Sequence, residues 1–199
     1  MTDARTALRH LPNALTVARV AAVPFLAAAF FLAEPTKSLA AFLLFSVAAL
    51  TDFLDGWLAR KLRVVSGLGT FLDPIADKLM VGAALILLAW DGRLAGLHVV
   101  AGVVILFREI FISGLREFLG NVKVTMPVSR LAKWKTTVQL VAIAVLLGAP
   151  LAGAGAGAAH ILGLELLWLA AAMTAITGWQ YTAATWPHLT GPTDADEDR

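Results

Sequence analysis

Residues 52–77 read DFLDGWLARKLRVVSGLGTFLDPIAD and place four aspartates at the facing ends of two apolar segments. Asp52 and Asp55 are three positions apart, and Asp73 and Asp77 are four positions apart. At either spacing, two side chains share one face of an α-helix. The 17 residues between Asp55 and Asp73 leave room for one helix to end and the next to begin. The stretch therefore predicts a helical hairpin in which the two pairs of carboxylates face each other at one depth.

Four neighbouring carboxylates indicate a metal site. Carboxylates crowded together where water is scarce cannot all stay ionised unless cations offset their charge. Their hard oxygen atoms suit Mg²⁺ or Mn²⁺, and a pair of such ions about 3.5–4 Å apart suits displacement at phosphorus. The alternative is that the aspartates cap helix ends or pair with Arg60, Lys61 and Lys78, but this explains one or two of them and not four at this spacing. We therefore expect two divalent ions here.

Small residues and one arginine accompany the aspartates. Gly56, Ala59 and Gly69 would let a ligand approach the helices closely, because they carry little or no side chain. The guanidinium fork of Arg60 matches the oxygen atoms of a phosphate or nucleotide. The pattern thus predicts a phosphate-binding surface next to the metal site.

The composition of the whole chain places this hairpin in a membrane. Of its 199 residues, 59% are hydrophobic and 15% are charged, with a mean hydropathy of +0.77. Ordinary soluble domains have about 45–50% apolar and about 25% charged residues. So little polar surface cannot cover a soluble globule of this size. The absence of cysteine excludes disulfides, thiolate metal sites and cysteine nucleophiles.

Six apolar segments predict an all-α integral membrane protein with six transmembrane helices. Each is close to the roughly 20 residues that a helix needs to cross the hydrocarbon core. Pro12, Asn13 and Arg19 interrupt the first segment, so we interpret it as a retained span rather than a cleavable signal. Residues 1–189 are expected to form one catalytic domain, followed by a disordered acidic tail over 190–199. The predicted segments are 14–33, 38–60, 72–90, 95–118, 131–149 and 159–185.

The basic residues predict the orientation. With six spans, both termini share a side with the second–third and fourth–fifth connections, and the opposite side has only Lys37 and Arg93. The positive-inside rule therefore predicts that both termini are cytoplasmic. The basic residues on the predicted cytoplasmic side are Arg5, Arg9, Arg60, Lys61, Arg63, Arg116, Lys123, Arg130, Lys133 and Lys135.

Charges also interrupt the first four segments. Charged groups within a membrane usually line a water-filled cavity, because burying them in lipid is costly. Four segments with this property predict a polar cavity open to the cytoplasm, although Arg19 is long enough to extend to the surface from near a helix end. The interrupting residues are Arg19, Asp52, Asp55, Asp73, Asp77, Lys78, Arg108 and Glu109.

Residues 52–77 match the pattern D-x2-D-G-x2-A-R-x8-G-x3-D-x3-D at all eight specified positions, and in this the chain resembles the CDP-alcohol phosphotransferase family. The resemblance implies a homodimer of six-helix protomers, bound divalent metal, and cleavage of a CDP-linked pyrophosphate with release of CMP. It implies metal ligation by Asp52, Asp55, Asp73 and Asp77, with Asp77 as general base on the acceptor hydroxyl. The CDP contacts that it implies are Asp52, Gly56, Ala59, Arg60, Gly69 and Asp73.

Three further blocks, at 13–19, 108–117 and 133–139, resemble the bacterial phosphatidylglycerophosphate synthases of that family. The resemblance implies transfer of the phosphatidyl group from CDP-diacylglycerol to sn-glycerol 3-phosphate at the cytoplasmic face of the bacterial inner membrane. This acceptor carries a phosphate, which a basic cluster would bind. The candidates for that contact are Arg108, Arg116, Arg130, Lys133 and Lys135.

Other functions remain open at this point. A cardiolipin synthase would use phosphatidylglycerol as acceptor, and other members of the family would use serine or an inositol phosphate. Acidic residues in a membrane can also mark the ion pathway of a transporter or channel. The outer halves of the charged segments, however, show no polar route across. A catalytically inactive scaffold is disfavoured by the intact set of four aspartates.

Overall fold

The computed structural model describes residues 2–62, 67–121 and 130–190, and every regular element in these ranges is helical. Its side chains are described for residues 14–52, 72, 75–120, 131–132, 134–187 and 189. The all-α prediction is confirmed, and each predicted apolar segment falls in a different helix. The elements are α1 (Thr2–Ala29), α2 (Thr36–Leu62), α3 (Gly67–Trp90), α4 (His98–Asn121), α5 (Arg130–Gly148), a 3₁₀-helix (Ala149–Gly155) and α6 (Ala156–Thr190).

Glycines with positive φ shape two of the connections. Gly92 and Gly96 have φ values of 77° and 56° in the connection between α3 and α4. Gly153 has a φ of 53° inside the 3₁₀-helix and separates α5 from α6. Residues other than glycine rarely adopt this left-handed region, because the Cβ atom clashes with the backbone. The predicted tail at 190–199 lies outside the described residues, apart from Thr190 at the end of α6.

The helices pack as two groups of three. In one group α1 contacts α2 and α3, and in the other α6 contacts α4 and α5. Contacts of α3 with α4 and of α2 with α5 join the two groups around a single apolar core. On α6, Gly163 allows close packing, since a Cβ atom there would lie 2.8 Å from Leu146. The largest fully buried core side chains include Leu26, Phe45, Leu88, Ile105, Ile143 and Leu167.

The outer surface of the bundle is apolar. Two stretches, His98–Gly120 and Trp134–Pro187, are long and apolar enough to cross a membrane, with mean hydropathies of 1.8 and 2.0. The second covers α5 from Trp134 onward, the 3₁₀-helix, and α6 as far as Pro187. Only 33% and 28% of an apolar 18-residue window in each stretch is buried inside the bundle, whereas a core helix of a soluble protein would be mostly buried. Large side chains such as Phe31 and Trp179 are more than 70% exposed. These features are consistent with a membrane protein.

A network of ion pairs joins the α1–α2 connection to the α3–α4 connection. We call Glu34, Lys37, Ser38, Asp91 and Arg93 the connector cluster. Arg93 lies 2.6 Å from Glu34 and 2.7 Å from Asp91, and Lys37 lies 2.6 Å from Asp91. Arg93 also donates a hydrogen bond from Nη1 to the last turn of α5, at a backbone carbonyl 2.9 Å away. The cluster therefore links three helix ends on the side of the bundle opposite the α2–α3 connection.

The ionised form of Glu34 is stabilised by its neighbours. Burial raises the pKa of Glu34, but hydrogen bonds from Ser38 and Lys37 and the positive charge of Arg93 outweigh this effect. Its pKa therefore lies below the ordinary value of 4.5. Because the pKa is lowered in the folded state, this contribution to stability is present above pH 4.5 and is lost as the pH falls through the folded-state pKa.

Glu34→Gln should weaken the connector cluster and change its pH dependence. At pH 7 we expect the thermal midpoint in detergent to fall by about 2–4 °C, since exposed ion pairs contribute little. As the pH falls through the folded-state pKa, which lies below 4.5, the difference from the unsubstituted protein should shrink, because Glu34 becomes protonated. Glu165→Gln is the control, since Glu165 is exposed and contacts no charged partner among the described residues. Parallel pH curves for Glu34→Gln and the unsubstituted protein would contradict the assignment.

Candidate functional site

An acidic centre forms where α1, α2 and α3 meet. Nη1 of Arg19 on α1 lies 2.9 Å from Oδ1 of Asp52 on α2 and 3.1 Å from Oδ1 of Asp77 on α3. Arg19 is 3% exposed, whereas the two aspartate side chains are 41% and 49% exposed. A single guanidinium nitrogen thus holds one carboxylate from each predicted pair, and the open sides of both carboxylates remain accessible.

The sequence placed Arg19 among the charges that line a polar cavity, but it did not identify the partners of this side chain. The alternative that its side chain extends to the surface is wrong, because the side chain is buried between the two carboxylates. The sequence shows Arg19 only as a single basic residue within an apolar segment. Its partners could not be predicted, because they lie on two other helices. α1 begins before the predicted segment 14–33, and α4 ends after the predicted segment 95–118. Arg19 and Arg108 therefore lie close to the middle of their helices rather than near a helix end.

The remaining residues of the 52–77 pattern are only partly described. Asp55 follows Asp52 by one turn of α2, and Asp73 precedes Asp77 by one turn of α3. The side chains of these two residues lie outside the described set, and so do those of Gly56, Ala59, Arg60 and Gly69.

The described donors are compatible with a divalent cation, although they do not complete a site. Among the described residues, no group of three or more acidic or histidine side chains is positioned to hold a metal. Asp52 and Asp77 nevertheless direct oxygen atoms from two helices toward one positive nitrogen. Carboxylate oxygens are the donors that Mg²⁺ and Mn²⁺ prefer. The donor chemistry therefore fits such an ion.

A cationic cluster lies between α4, α5 and α6. We define it as Arg108, Glu109, Lys135 and Arg116. Oε1 of Glu109 accepts hydrogen bonds from Lys135 Nζ and, at 3.4 Å, from Arg108 Nη1. Lys135 is 3% exposed, so its charge depends on this carboxylate. The guanidinium of Arg116 lies 5.3 Å from the centre of the Tyr181 ring on α6. The structure thus brings together three of the five predicted phosphate-binding residues.

The other two predicted phosphate-binding residues, Arg130 and Lys133, belong to α5, but their side chains lie outside the described set.

Buried polar atoms near the cationic cluster lack hydrogen-bond partners. Within the described part of the chain, these atoms are Nε of Arg108, Oε1 of Gln139 and Oγ1 of Thr174. Gln139 lies one turn after Lys135 on α5. An unsatisfied buried polar group costs about 1–3 kcal/mol, so such groups in native proteins usually face a ligand or water. The interior between α4, α5 and α6 is therefore chemically suited to a polar ligand.

Comparison with known proteins gives consistent matches. Residues 9–180 match the model of the CDP-alcohol phosphatidyltransferase family. A Rickettsia bellii protein is 43% identical over 180 residues, which cover 88% of this chain and 94% of the relative. A Cereibacter sphaeroides protein is 40% identical, covering 90% of this chain and 96% of the relative. A Pseudomonas fluorescens protein is 40% identical, covering 90% and 92%. All three are named CDP-diacylglycerol–glycerol-3-phosphate 3-phosphatidyltransferase.

Glu109→Gln should destabilise the protein through the cationic cluster. Without its carboxylate, Arg108 and Lys135 become neighbouring buried cations with no anion between them, at a cost of about 2 kcal/mol. The change would be measured as a lower thermal midpoint in detergent. Glu117→Gln on the same helix is the matched control, because Glu117 is exposed and makes no ion pair with other described residues. Equal midpoints for the two variants would show that Glu109 does not hold the cluster together.

Proposed function

Because the chain belongs to the CDP-alcohol phosphatidyltransferase family, we propose that it is a phosphatidylglycerophosphate synthase. It transfers the phosphatidyl group of CDP-diacylglycerol to sn-glycerol 3-phosphate and releases CMP. Relatives with this activity in their names are 40–43% identical and align over nearly their whole length. The structural observation that carries the proposal is the cationic cluster, which suits an acceptor that brings its own phosphate.

The charge of the cluster supports this choice of acceptor. Arg108, Arg116 and Lys135 are opposed by the single carboxylate of Glu109, which leaves an excess of two positive charges. A phosphate monoester carries about −1.5 to −2 at pH 7, whereas a diester carries one negative charge. Glycerol 3-phosphate is a monoester and therefore matches this excess better than phosphatidylglycerol does. The cluster thus favours a phosphatidylglycerophosphate synthase over a cardiolipin synthase.

The aspartates are assigned to the donor substrate. Asp52, Asp55, Asp73 and Asp77 would hold two Mg²⁺ or Mn²⁺ ions, which when bound offset the negative charge of the pyrophosphate. Arg60 contacts a phosphate of the CDP group with its guanidinium fork. Gly56, Ala59 and Gly69, with Asp52 and Asp73, form the surface on which CDP lies. The described pairing of Asp52 with Arg19 supports this assignment, because it fixes one carboxylate at the joint of three helices.

Asp77 is assigned to proton transfer. Its carboxylate accepts the proton of the C1 hydroxyl of glycerol 3-phosphate as that oxygen attacks the phosphorus bearing the diacylglycerol. The new P–O bond forms as the bond to CMP breaks, and CMP leaves with the bonding electrons. The contact with Arg19 supports this role, because it orients the carboxylate while 49% of the side chain stays exposed.

The proposal includes a membrane orientation and an assembly. We assign six spans with both termini in the cytoplasm, in the bacterial inner membrane, with the acidic centre and cationic cluster open to the cytoplasm. The distribution of lysine and arginine supports this, since only Lys37 and Arg93 lie in the connections on the other side. The family resemblance supports a homodimer.

Asp77→Asn should lower kcat by at least about 100-fold, because asparagine cannot take up the proton. Binding of CDP-diacylglycerol should fall much less than kcat, since three of the four proposed metal ligands remain. The measurements are CMP release by purified protein in detergent and binding of the donor lipid. Asp91→Asn in the connector cluster is the control and should retain activity. Activity retained in Asp77→Asn would remove this residue from the base role.

Release of CMP should depend on both the acceptor and a divalent ion. Purified protein with CDP-diacylglycerol and Mg²⁺ would be offered glycerol 3-phosphate, phosphatidylglycerol, serine or inositol phosphate in parallel. We expect release with glycerol 3-phosphate alone, and its loss on addition of EDTA with recovery on excess Mg²⁺. Release with phosphatidylglycerol alone would identify a cardiolipin synthase. Release unaffected by EDTA would contradict the metal assignment.

A further inference from the structure

Arg108 lies directly against the backbone of α6 at Gly178. A Cβ atom built on Gly178 would lie 2.9 Å from Cγ and 3.5 Å from Nε of Arg108. Real Cβ atoms essentially never approach another heavy atom within 3.0 Å. The arginine can therefore occupy this position only because residue 178 has no side chain.

The neighbouring residue Thr177 fixes the other end of the same side chain. Its Oγ1 accepts a hydrogen bond from Nη2 of Arg108 at 3.4 Å. The same hydroxyl donates to the carbonyl oxygen of Met173 at 2.8 Å, so its proton is engaged within α6 and a lone pair is free to accept. Thr177 is 4% exposed. Two consecutive residues of α6 thus determine where the guanidinium lies.

In this position the side chain of Arg108 does not use all of its five N–H donors. Nη1 donates to Glu109 and Nη2 to Thr177, whereas the buried Nε has no hydrogen-bond partner among the described residues. A methyl group on residue 178 would lie 3.5 Å from Nε and would also displace the Cγ atom. The bare backbone at Gly178 therefore keeps the guanidinium in place, and the second N–H on each of Nη1 and Nη2 is a donor to which a phosphate oxygen would bind.

We propose that Gly178 and Thr177 are positioning residues for the acceptor phosphate, acting through Arg108. This inference rests on the proposed function, because it assigns the acceptor phosphate to the cationic cluster. The phosphate-binding residues predicted from the sequence all belong to α4 and α5. The inference adds two residues of α6 to this site. The acceptor affinity, rather than the handling of CDP-diacylglycerol, is the property that these two residues control.

The test is steady-state kinetics of Gly178→Ala in detergent. The KM for glycerol 3-phosphate should rise by about tenfold or more, because loss of one charge-assisted hydrogen bond changes affinity by that order. The KM for CDP-diacylglycerol and kcat at saturating acceptor should change by less than about threefold. The inhibition constant of inorganic phosphate, used as a competitor of the acceptor, should rise in parallel.

Two glycines of the same helix provide matched controls. A Cβ atom at Gly163 would lie 2.8 Å from Leu146, an overlap as severe as that at Gly178 but with an apolar partner. Gly163→Ala should therefore lower the thermal midpoint without changing the KM ratio of the two substrates. A Cβ atom at Gly157 would meet nothing within 4 Å, so Gly157→Ala should change neither property.

Thr177 provides a second test if Gly178→Ala does not fold. Thr177→Val removes the acceptor oxygen at nearly constant volume and should raise the KM for glycerol 3-phosphate, whereas Thr177→Ser keeps the hydroxyl and should restore it. An unchanged acceptor KM in Thr177→Val, or an equal rise in Gly163→Ala, would overturn the inference. If the unsubstituted protein does not use glycerol 3-phosphate at all, the proposed function fails first, and that result is obtained before any variant is made.

Discussion

A charge inside an apolar bundle must have a partner, and this requirement fixes how the helices of this protein meet. The apolar side chains on the six helices would tolerate several arrangements, since dispersion contacts are weak individually and not directional. Ion pairs are more specific, because an unpaired buried charge is costly. Arg19 can be buried only where both Asp52 and Asp77 reach it, which joins α1, α2 and α3 at one point. In the same way, Lys135 on α5 is buried where the carboxylate of Glu109 on α4 can pair with it.

The two polar centres belong to different halves of the bundle. The acidic centre lies within the group formed by α1, α2 and α3, and the cationic cluster lies within the group formed by α4, α5 and α6. On the proposed function, one half holds the donor pyrophosphate and the other holds the acceptor phosphate. The reacting atoms would then meet where the two halves join. Separation of opposite charges between the halves also keeps the aspartates from neutralising the residues that are proposed to bind the acceptor.

Much of this organisation could be predicted from residue spacing, because it depends on local periodicity. The apolar segments predicted the helices, and the i, i+3 and i, i+4 spacing placed each pair of aspartates on one helix face. Contacts between distant segments could not be predicted in this way. Arg19 is separated from Asp77 by 58 positions, and a lone arginine has the same appearance in sequence whether it extends to the surface or bridges two carboxylates. The connector cluster was missed for the same reason, since Glu34 and Arg93 are 59 positions apart.

The glycines of α6 show most clearly where sequence patterns stop being informative. Gly163 and Gly178 both interrupt an apolar helix rich in alanine, and either could be interpreted as a small residue that permits close helix packing. In the structure Gly163 packs against Leu146, whereas Gly178 packs against the stem of Arg108. Only the second contact involves a charged side chain, so the same residue type accommodates a leucine at one position and an arginine at the other. The difference lies entirely in the side chain opposite, which belongs to another helix and which no local pattern in α6 specifies.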